Sequence, residues 1–202
     1  MKIAITGTTQ GLGQHLKQVF KQHGHEVLEF NRSNGYDIKQ PSKIVQEAKD
    51  CDLFINNAYD GYGQVDLLYA LVDCWEKQHN KFIINIGSEQ TRRWSNHHGD
   101  TIAPFDWREG QRSIQYRSHK LSLTEASNYL YQVVTWPQIM LVDIGMLDTQ
   151  PAGYWSKHRT SRKPILCQDA AKLIYNLFDC RELHFVSEVV LRPLIWMENN
   201  NT

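Results

Sequence analysis

The sequence predicts an α/β fold, a single doubly wound parallel sheet with helices on both faces. Two observations predict it. Short apolar runs alternate with stretches of helical periodicity along the whole chain, a pattern that calls for parallel strands joined by crossover helices. No repeat, linker or shift of composition divides residues 1–202, so one domain is expected.

The elements follow in order. Lys2 to Thr6 (KIAIT) reads as a strand that ends at Gly7, and Leu12, Leu16, Val19 and Phe20 then recur at helical spacing up to a stop at Gly24. A second strand is expected at 25–30, a short third one at Tyr36 to Ile38, and a helix opened by Pro41 and Ser42 that runs to Lys49. Asp52 to Asn56 reads as a buried strand, Leu67, Leu68, Leu71, Val72 and Trp75 mark a helix, and Lys81 to Ile86 is the next strand. Residues 89–113 are polar, rich in Arg, His and Trp, and without a period. A long helix is expected over 114–134, a strand at Ile139 to Ile144, an irregular stretch at 145–166, a helix on Ala170, Leu173, Ile174, Leu177 and Phe178, and a last strand at 184–191 before a frayed tail.

Composition excludes several classes. The chain has 202 residues, with 22 Lys and Arg against 22 Asp and Glu, a formal net charge of zero. Zero charge argues against a protein that grips phosphate backbones, so no nucleic-acid partner is expected despite the basic and aromatic residues at 92–117. Residues 41% hydrophobic and 11% aromatic argue against disorder. No apolar run reaches the ~18 residues that cross a bilayer, and the N-terminus reads as a strand rather than a signal peptide, so no membrane partner is expected. Cys51, Cys74, Cys167 and Cys180 are scattered without a CxxC pair and are expected to be reduced thiols of a cytoplasmic protein. His97-His98 and His23-x-His25 lack a third ligand at suitable spacing, so no metal site is expected. No Gly-x-Ser-x-Gly elbow is present to anchor a hydrolase triad.

The chemistry is concentrated at predicted strand ends. Thr6-Gly7-Thr8-Thr9-Gln10-Gly11-Leu12-Gly13 follows the first strand and opens a helix. Gly7 permits a tight exit from the strand, Gly11 lets a pyrophosphate approach, and Gly13 lets helix and sheet pack closely, while the helix N-terminus offers free N–H groups to an anion. This context makes the turn a dinucleotide site of the Rossmann type. After the second strand, Asn31 stands where a carboxylate would hold ribose hydroxyls and Arg32 follows it, which favours NADPH, with NADH as the alternative. Tyr116 and Lys120 are four residues apart on one helix face, where an ammonium can lower a phenol pKa from its ordinary value of about 10. By itself that spacing is also that of an ordinary surface pair. Ser88 follows Ile84-Asn85-Ile86-Gly87 at the strand end nearest the glycine turn, where its hydroxyl reads either as a turn cap or as a hydrogen-bond donor to a reacting carbonyl.

Taken together these residues resemble the short-chain dehydrogenase/reductase family over nearly the whole chain. Thr6 to Gly13 is similar to the family's TGxxxGxG, Asp37-Ile38 to its adenine-contacting pair, Asn56-Asn57-Ala58 to its NNAG, and Tyr116 with Lys120 to its YxxxK. The resemblance implies that Tyr116 donates the proton, that Lys120 holds the ribose and lowers the phenol pKa, and that Ser88 positions the carbonyl. It implies cofactor contacts from Gly7, Thr9, Gln10, Gly11, Leu12, Gly13, Asn31, Arg32, Asp37, Ile38, Asn57, Ala58, Tyr59 and Lys120, and from Gly145, Met146 and Thr149 in the segment after the sixth predicted strand. The implied activity is hydride transfer between NADP and a carbonyl or secondary alcohol, as in the NADP-dependent alcohol oxidoreductases.

The departures from the family pattern carry their own expectations. Tyr59 replaces the Gly of NNAG and is expected to cover or reshape the crevice, and Ile144 replaces the usual Pro before Gly145. The helix that carries the family's catalytic Asn reads Gln64-Val65-Asp66-Leu67-Leu68-Tyr69, which contains no Asn and offers Gln64 as a candidate substitute. These departures support the alternative of a catalytically weak dinucleotide-binding sensor or scaffold. Residues 89–113 and 145–166 are expected to flank the substrate: Arg92, Arg93, Arg108, Arg112 and Arg117 read either as attractors of an anionic substrate or as solvated charges, Trp94 and Trp107 as an apolar wall, and Tyr154 and Trp155 as part of a lid. A homodimer or homotetramer is expected through helices near 65–79 and 114–134, with Tyr129 and Tyr131 exposed at the interface.

Overall fold

Six strands form one sheet in the order β2-β1-β3-β4-β5-β6, every pairing parallel. The computed structural model describes residues 1–92, 107–149, 164–183 and 185–192, with the backbone alone over 107–113. The strands are β1 (Lys2–Thr6), β2 (Glu26–Phe30), β3 (Leu53–Asn56), β4 (Phe82–Ile86), β5 (Gln138–Ile144) and β6 (Glu188–Leu191). The helices are α1 (Gly11–Gln22), α2 (Pro41–Ala48), α3 (Gly63–Trp75), α4 (Trp107–Val133) and α5 (Cys167–Asp179).

The two layers follow from the pleat. Successive side chains on a strand point to opposite faces, so Ile3 and Ile5 pack with α1 and α5 while Ala4 between them packs with α2 and α3. Register carries the same division across the sheet: Ile5, Ile55, Ile84 and Met140 are consecutive partners and all lie in the α1/α5 layer. In α1 the apolar stripe of Leu12, Leu16, Val19 and Phe20 is buried on β1, and each such side chain contributes roughly 1.5–3 kcal/mol. Trp75, fully buried at the end of α3, donates its indole N–H to Lys49 O at 3.1 Å and ties α3 to the end of α2.

Four expectations about elements are corrected. Tyr36 to Ile38 is not a strand: Ile38 is a single buried side chain packed in the α2/α3 layer, and the chain there turns toward Pro41. The long helix begins at Trp107 rather than 114, because its first turns are polar and carry no apolar period. The last strand begins at Glu188, after an extended approach that contains Phe185. Glu89–Arg92, read as aperiodic, is a single 3-10 turn. Tyr129 and Tyr131 are exposed on α4. Among the described residues no helix is long and apolar enough to cross a membrane, and the four cysteines are unpaired.

Strand order reverses at β1, which has β2 on one side and β3 on the other. In such sheets the crevice at the carboxyl ends of the strands beside that reversal is where ligands bind. Gly7, Asn57 and Ser88 all follow strand ends on this edge.

Candidate active site

The glycine turn is built by close approach. A Cβ on Gly13 would lie 2.0 Å from Gly7 O, so no other residue fits where α1 meets the end of β1. Asn57 Nδ2 donates to Thr6 O at 2.9 Å and Gly7 O at 3.2 Å, and Thr6 Oγ1 accepts from the N–H groups of Asn57 and Ala58, both at 2.9 Å. These bonds lock the ends of β1 and β3 together. Gln10 at the start of α1 makes no capping hydrogen bond with its side chain, and no acidic residue stands in the first turn. The helix therefore presents uncapped N–H groups and a positive dipole end at the crevice. Thr149 reaches back over this turn, its Cγ2 lying 3.3 Å from a Cβ placed on Gly11.

At the end of β2, Asn31 is turned into the glycine turn. Its Oδ1 accepts from Thr8 N at 2.7 Å and its Nδ2 donates to Thr8 Oγ1 at 2.9 Å. Its amide is thus spent on the loop. Arg32 is 78% exposed, 3.8 Å from Asp60, and Lys39 Nζ lies 2.7 Å from the other oxygen of the same carboxylate. Asp37 caps Lys39 N at 2.9 Å, and Ile38 is buried against Gly63.

Ser88, Tyr116 and Lys120 come together at the far side of the crevice. The hydroxyls of Ser88 and Tyr116 share a hydrogen bond. Burial pushes the Tyr116 phenol above its ordinary pKa, Ser88 opposes this, and the nearby Tyr59 and Asp143 reinforce it. Lys120 is 3% exposed. Its Nζ donates to Gln64 Oε1 and to Ile86 O, both at 2.7 Å, and lies 5.8 Å from the Tyr116 ring centre. Burial lowers its pKa to about 7 against an opposing pull from Asp143. Lys120 therefore sits one turn from the phenol without bonding it, and in this structure the phenol pKa is raised rather than lowered.

Gln64, buried at the start of α3, is tied to Lys120. Besides holding Lys120, its Nε2 donates to Asn56 O at 2.7 Å and Ile86 O at 3.3 Å. Behind it a buried polar chain runs from Asn56 Nδ2 to Asn85 Oδ1 at 3.0 Å and from Asn85 Nδ2 to Ser127 Oγ at 3.0 Å. Asn56 and Asn85 are register partners on β3 and β4. Tyr59, 42% exposed, packs edge-on against the Tyr116 ring at 4.8 Å and bonds His119 Nδ1 through its hydroxyl at 2.9 Å. Its ring lies 5.5 Å from Lys120 Nζ, at the mouth of the crevice.

Sequence reasoning missed Asp143, and the signal was a lone carboxylate in the apolar run Gln138–Ile144. Arg92, which reads in the sequence as an attractor of an anionic substrate or a solvated charge, donates through Nε to Asp143 Oδ2 at 2.8 Å and pairs with Glu188. Arg93, Trp94, His97, His98, Tyr154 and Trp155 lie outside the described residues, as do the side chains of Trp107, Arg108 and Arg112. Among the described residues no cluster of three or more His, Cys, Asp or Glu is placed to hold a metal.

The fold has clear counterparts among solved structures. One is a 3-alpha-hydroxysteroid dehydrogenase from a Pseudomonas species complexed with NADH, at TM-score 0.70 and 17% identity over 95% of this chain and 94% of that one. The chain has the short-chain dehydrogenase fold. A short-chain dehydrogenase from Burkholderia cenocepacia in complex with NADP matches at TM-score 0.66 and 18% identity, covering 95% of this chain and 87% of that one. An alcohol dehydrogenase from the archaeon Thermococcus sibiricus, complexed with 5-hydroxy-NADP, matches at TM-score 0.68 and 15% identity over 98% and 99% of the two chains. No family model matches the sequence, and no curated protein matches it. On the short-chain dehydrogenase fold, the tight Gly7–Gly13 turn and the uncapped start of α1 fit a nicotinamide dinucleotide.

Proposed function

We propose that this chain is an NADPH-dependent oxidoreductase acting on a carbonyl or secondary alcohol. The observation that carries the reading is the grouping of Ser88, Tyr116 and Lys120 on the same sheet edge as the glycine turn. Gly7, Gly11, Gly13 and the N-terminus of α1 hold the pyrophosphate, Asn57, Ala58, Asp37 and Ile38 line the adenine side, and Gly145, Met146 and Thr149 close over the nicotinamide side. The bound cofactor supplies or accepts the hydride.

In the reductive direction the Ser88 hydroxyl orients the carbonyl oxygen. Tyr116, kept neutral by burial, hands its proton to the alkoxide as it forms. Lys120, fixed by Gln64 and Ile86 O, supplies positive charge near the phenolate in its protonated form, and the phenolate regains its proton from solvent while Lys120 keeps its own. A raised phenol pKa suits reduction, which needs the protonated form; alcohol oxidation needs the phenolate and is therefore favoured by alkaline pH.

The preference for NADPH rests on Arg32 and Lys39, two exposed cations that share Asp60, and on the absence of a free carboxylate at Asn31. A panel of aldehydes and ketones followed by loss of cofactor absorbance tests the proposal. It predicts turnover with at least one carbonyl class and greater efficiency with NADPH than with NADH; equal or better efficiency with NADH contradicts the preference, and no turnover with either contradicts the activity.

A second reading, a dinucleotide-binding sensor with weak chemistry, is favoured by one observation. The Tyr59 ring packs on Tyr116 and beside Lys120, across the approach to both. Binding of cofactor without turnover across the same panel supports that reading.

A further inference from the structure

The carboxylate of Asp143 is fully buried near the end of β5 and is no part of the chemistry described so far. Its Oδ1 accepts from the backbone N–H of Ser88 at 3.0 Å, and its Oδ2 accepts from Arg92 Nε at 2.8 Å. Arg92 in turn pairs with Glu188 on β6. The 3-10 turn Glu89–Arg92 that leaves Ser88 is thus tied back to two strands, and Arg192 adds a further link at 3.4 Å to the buried Glu89. Gly87 makes the arrangement sterically feasible: a Cβ there would lie 2.0 Å from Asp143 Oδ1. A buried carboxylate is costly unless it is paired and hydrogen bonded, and this one is both.

We infer that Asp143, braced by Arg92, is a positioning residue that sets the Ser88 hydroxyl against Tyr116. The inference rests on the oxidoreductase reading above and gives that site a part the motif residues do not contain. Ser88 is fixed from both ends. Its N–H is held by Asp143 and its Oγ accepts from Gln90 N at 3.3 Å, so the hydroxyl bonded to Tyr116 has little freedom to rotate away. The charge also acts through space. Facing the phenol are Ser88 from the end of β4, Asp143 from β5, Tyr59 from the loop before α3 and Lys120 from its own helix, and of these Asp143 and Tyr59 raise its pKa while Ser88 lowers it. Arg92 and Lys120 face Asp143 and moderate the upward push that burial gives its carboxyl.

Asp143→Asn tests this, because it keeps the shape and removes the charge that Arg92 holds. Carbonyl reduction is expected to fall ~10–100-fold, the scale of a misplaced reacting group, while the NADPH dissociation constant stays within about twofold. The ultraviolet titration of the phenol, isolated by subtracting the Tyr116→Phe protein, is expected to move to lower pH as the opposing charge is lost. Arg92→Gln is the second variant: it loosens the same carboxylate from its half-exposed side and is expected to lower turnover in the same direction. Unchanged turnover and an unchanged phenol titration in folded Asp143→Asn overturn the inference, as does an equal loss of turnover and cofactor affinity. A wild-type protein with no carbonyl turnover removes the oxidoreductase reading instead, and the phenol titration still decides the role of Asp143.

Discussion

The two ends of the crevice are built from different materials. Around the glycine turn, shape does most of the work: Gly13 sits where a Cβ cannot fit, the contacts of Asn31, Asn57 and Thr6 are neutral hydrogen bonds, and charge enters through the bond from Thr8 Oγ1 to Glu29 at 2.8 Å. Around Ser88 and Tyr116, buried charge does it: Lys120 against Gln64 and Ile86 O, Asp143 against Arg92 and the Ser88 N–H. A neutral, close-packed site is insensitive to pH and fails when it is overfilled. A charged, buried site fails when one partner is removed, because the other is left uncompensated. The two ends should therefore break in different ways.

The largest effect on cofactor affinity is expected at the glycine turn. Gly13→Ala places a methyl against Gly7 O, and overpacking of that kind costs about 1–3 kcal/mol, so NADPH affinity is expected to fall ~10–100-fold at every pH. Fluorescence titration of cofactor at acidic and alkaline pH checks it; a loss confined to one pH would erase the contrast between the two ends.

At the charged end, Gln64→Leu takes one of two acceptors from Lys120 and leaves Asn56 O without the amide donor. An unpaired buried group costs roughly 1–3 kcal/mol, so turnover is expected to drop about tenfold or more with cofactor affinity little changed. A variant that loses affinity and keeps turnover would assign Gln64 to the binding end.

The pH dependence of stability sharpens the comparison further. Lys120 falls from an ordinary value of 10.5 to about 7 on folding. Between those values the unfolded chain carries a proton that the folded chain has released, so this group makes stability rise with pH across the window, by up to ~1.4 kcal/mol per pH unit. Urea unfolding of wild type and Lys120→Met between about pH 7 and pH 9 is expected to show the steeper rise in the wild type; parallel curves would show that Lys120 does not titrate there.

The smallest effect is expected at Arg32. The residue is exposed and its pairing with Asp60 is weak, so Arg32→Ala should raise the KM for NADPH about fivefold, equivalent to about 1 kcal/mol, and leave that for NADH unchanged. Equal changes with both cofactors would remove Arg32 from recognition of the extra phosphate.

The contrast also explains what the sequence could show. The glycine turn, the strands and most of the helices are legible because their signals are local: glycines at fixed offsets after an apolar run, and Leu12, Leu16, Val19 and Phe20 at helical spacing. Tyr36 to Ile38 misleads because one buried side chain, Ile38, gives a short apolar segment without any strand partner. The charged end is not legible in the same way. Lys120 and Gln64 are 56 residues apart and Ser88 and Asp143 are 55 apart, so a lone Gln in a helix and a lone Asp in a strand give no hint of their partners. Arg92 reads as a surface charge until Asp143 and Glu188 are found beside it.

Single-turnover oxidation of NADPH by wild type and by Tyr116→Phe, with cofactor affinity measured on both, tests the central claim most directly. With a positioned phenol as the acid, removal of its hydroxyl should slow the chemical step ~10²–10⁴-fold and leave the NADPH dissociation constant within about twofold. A Tyr116→Phe protein that reduces the same carbonyl at the wild-type rate would contradict it.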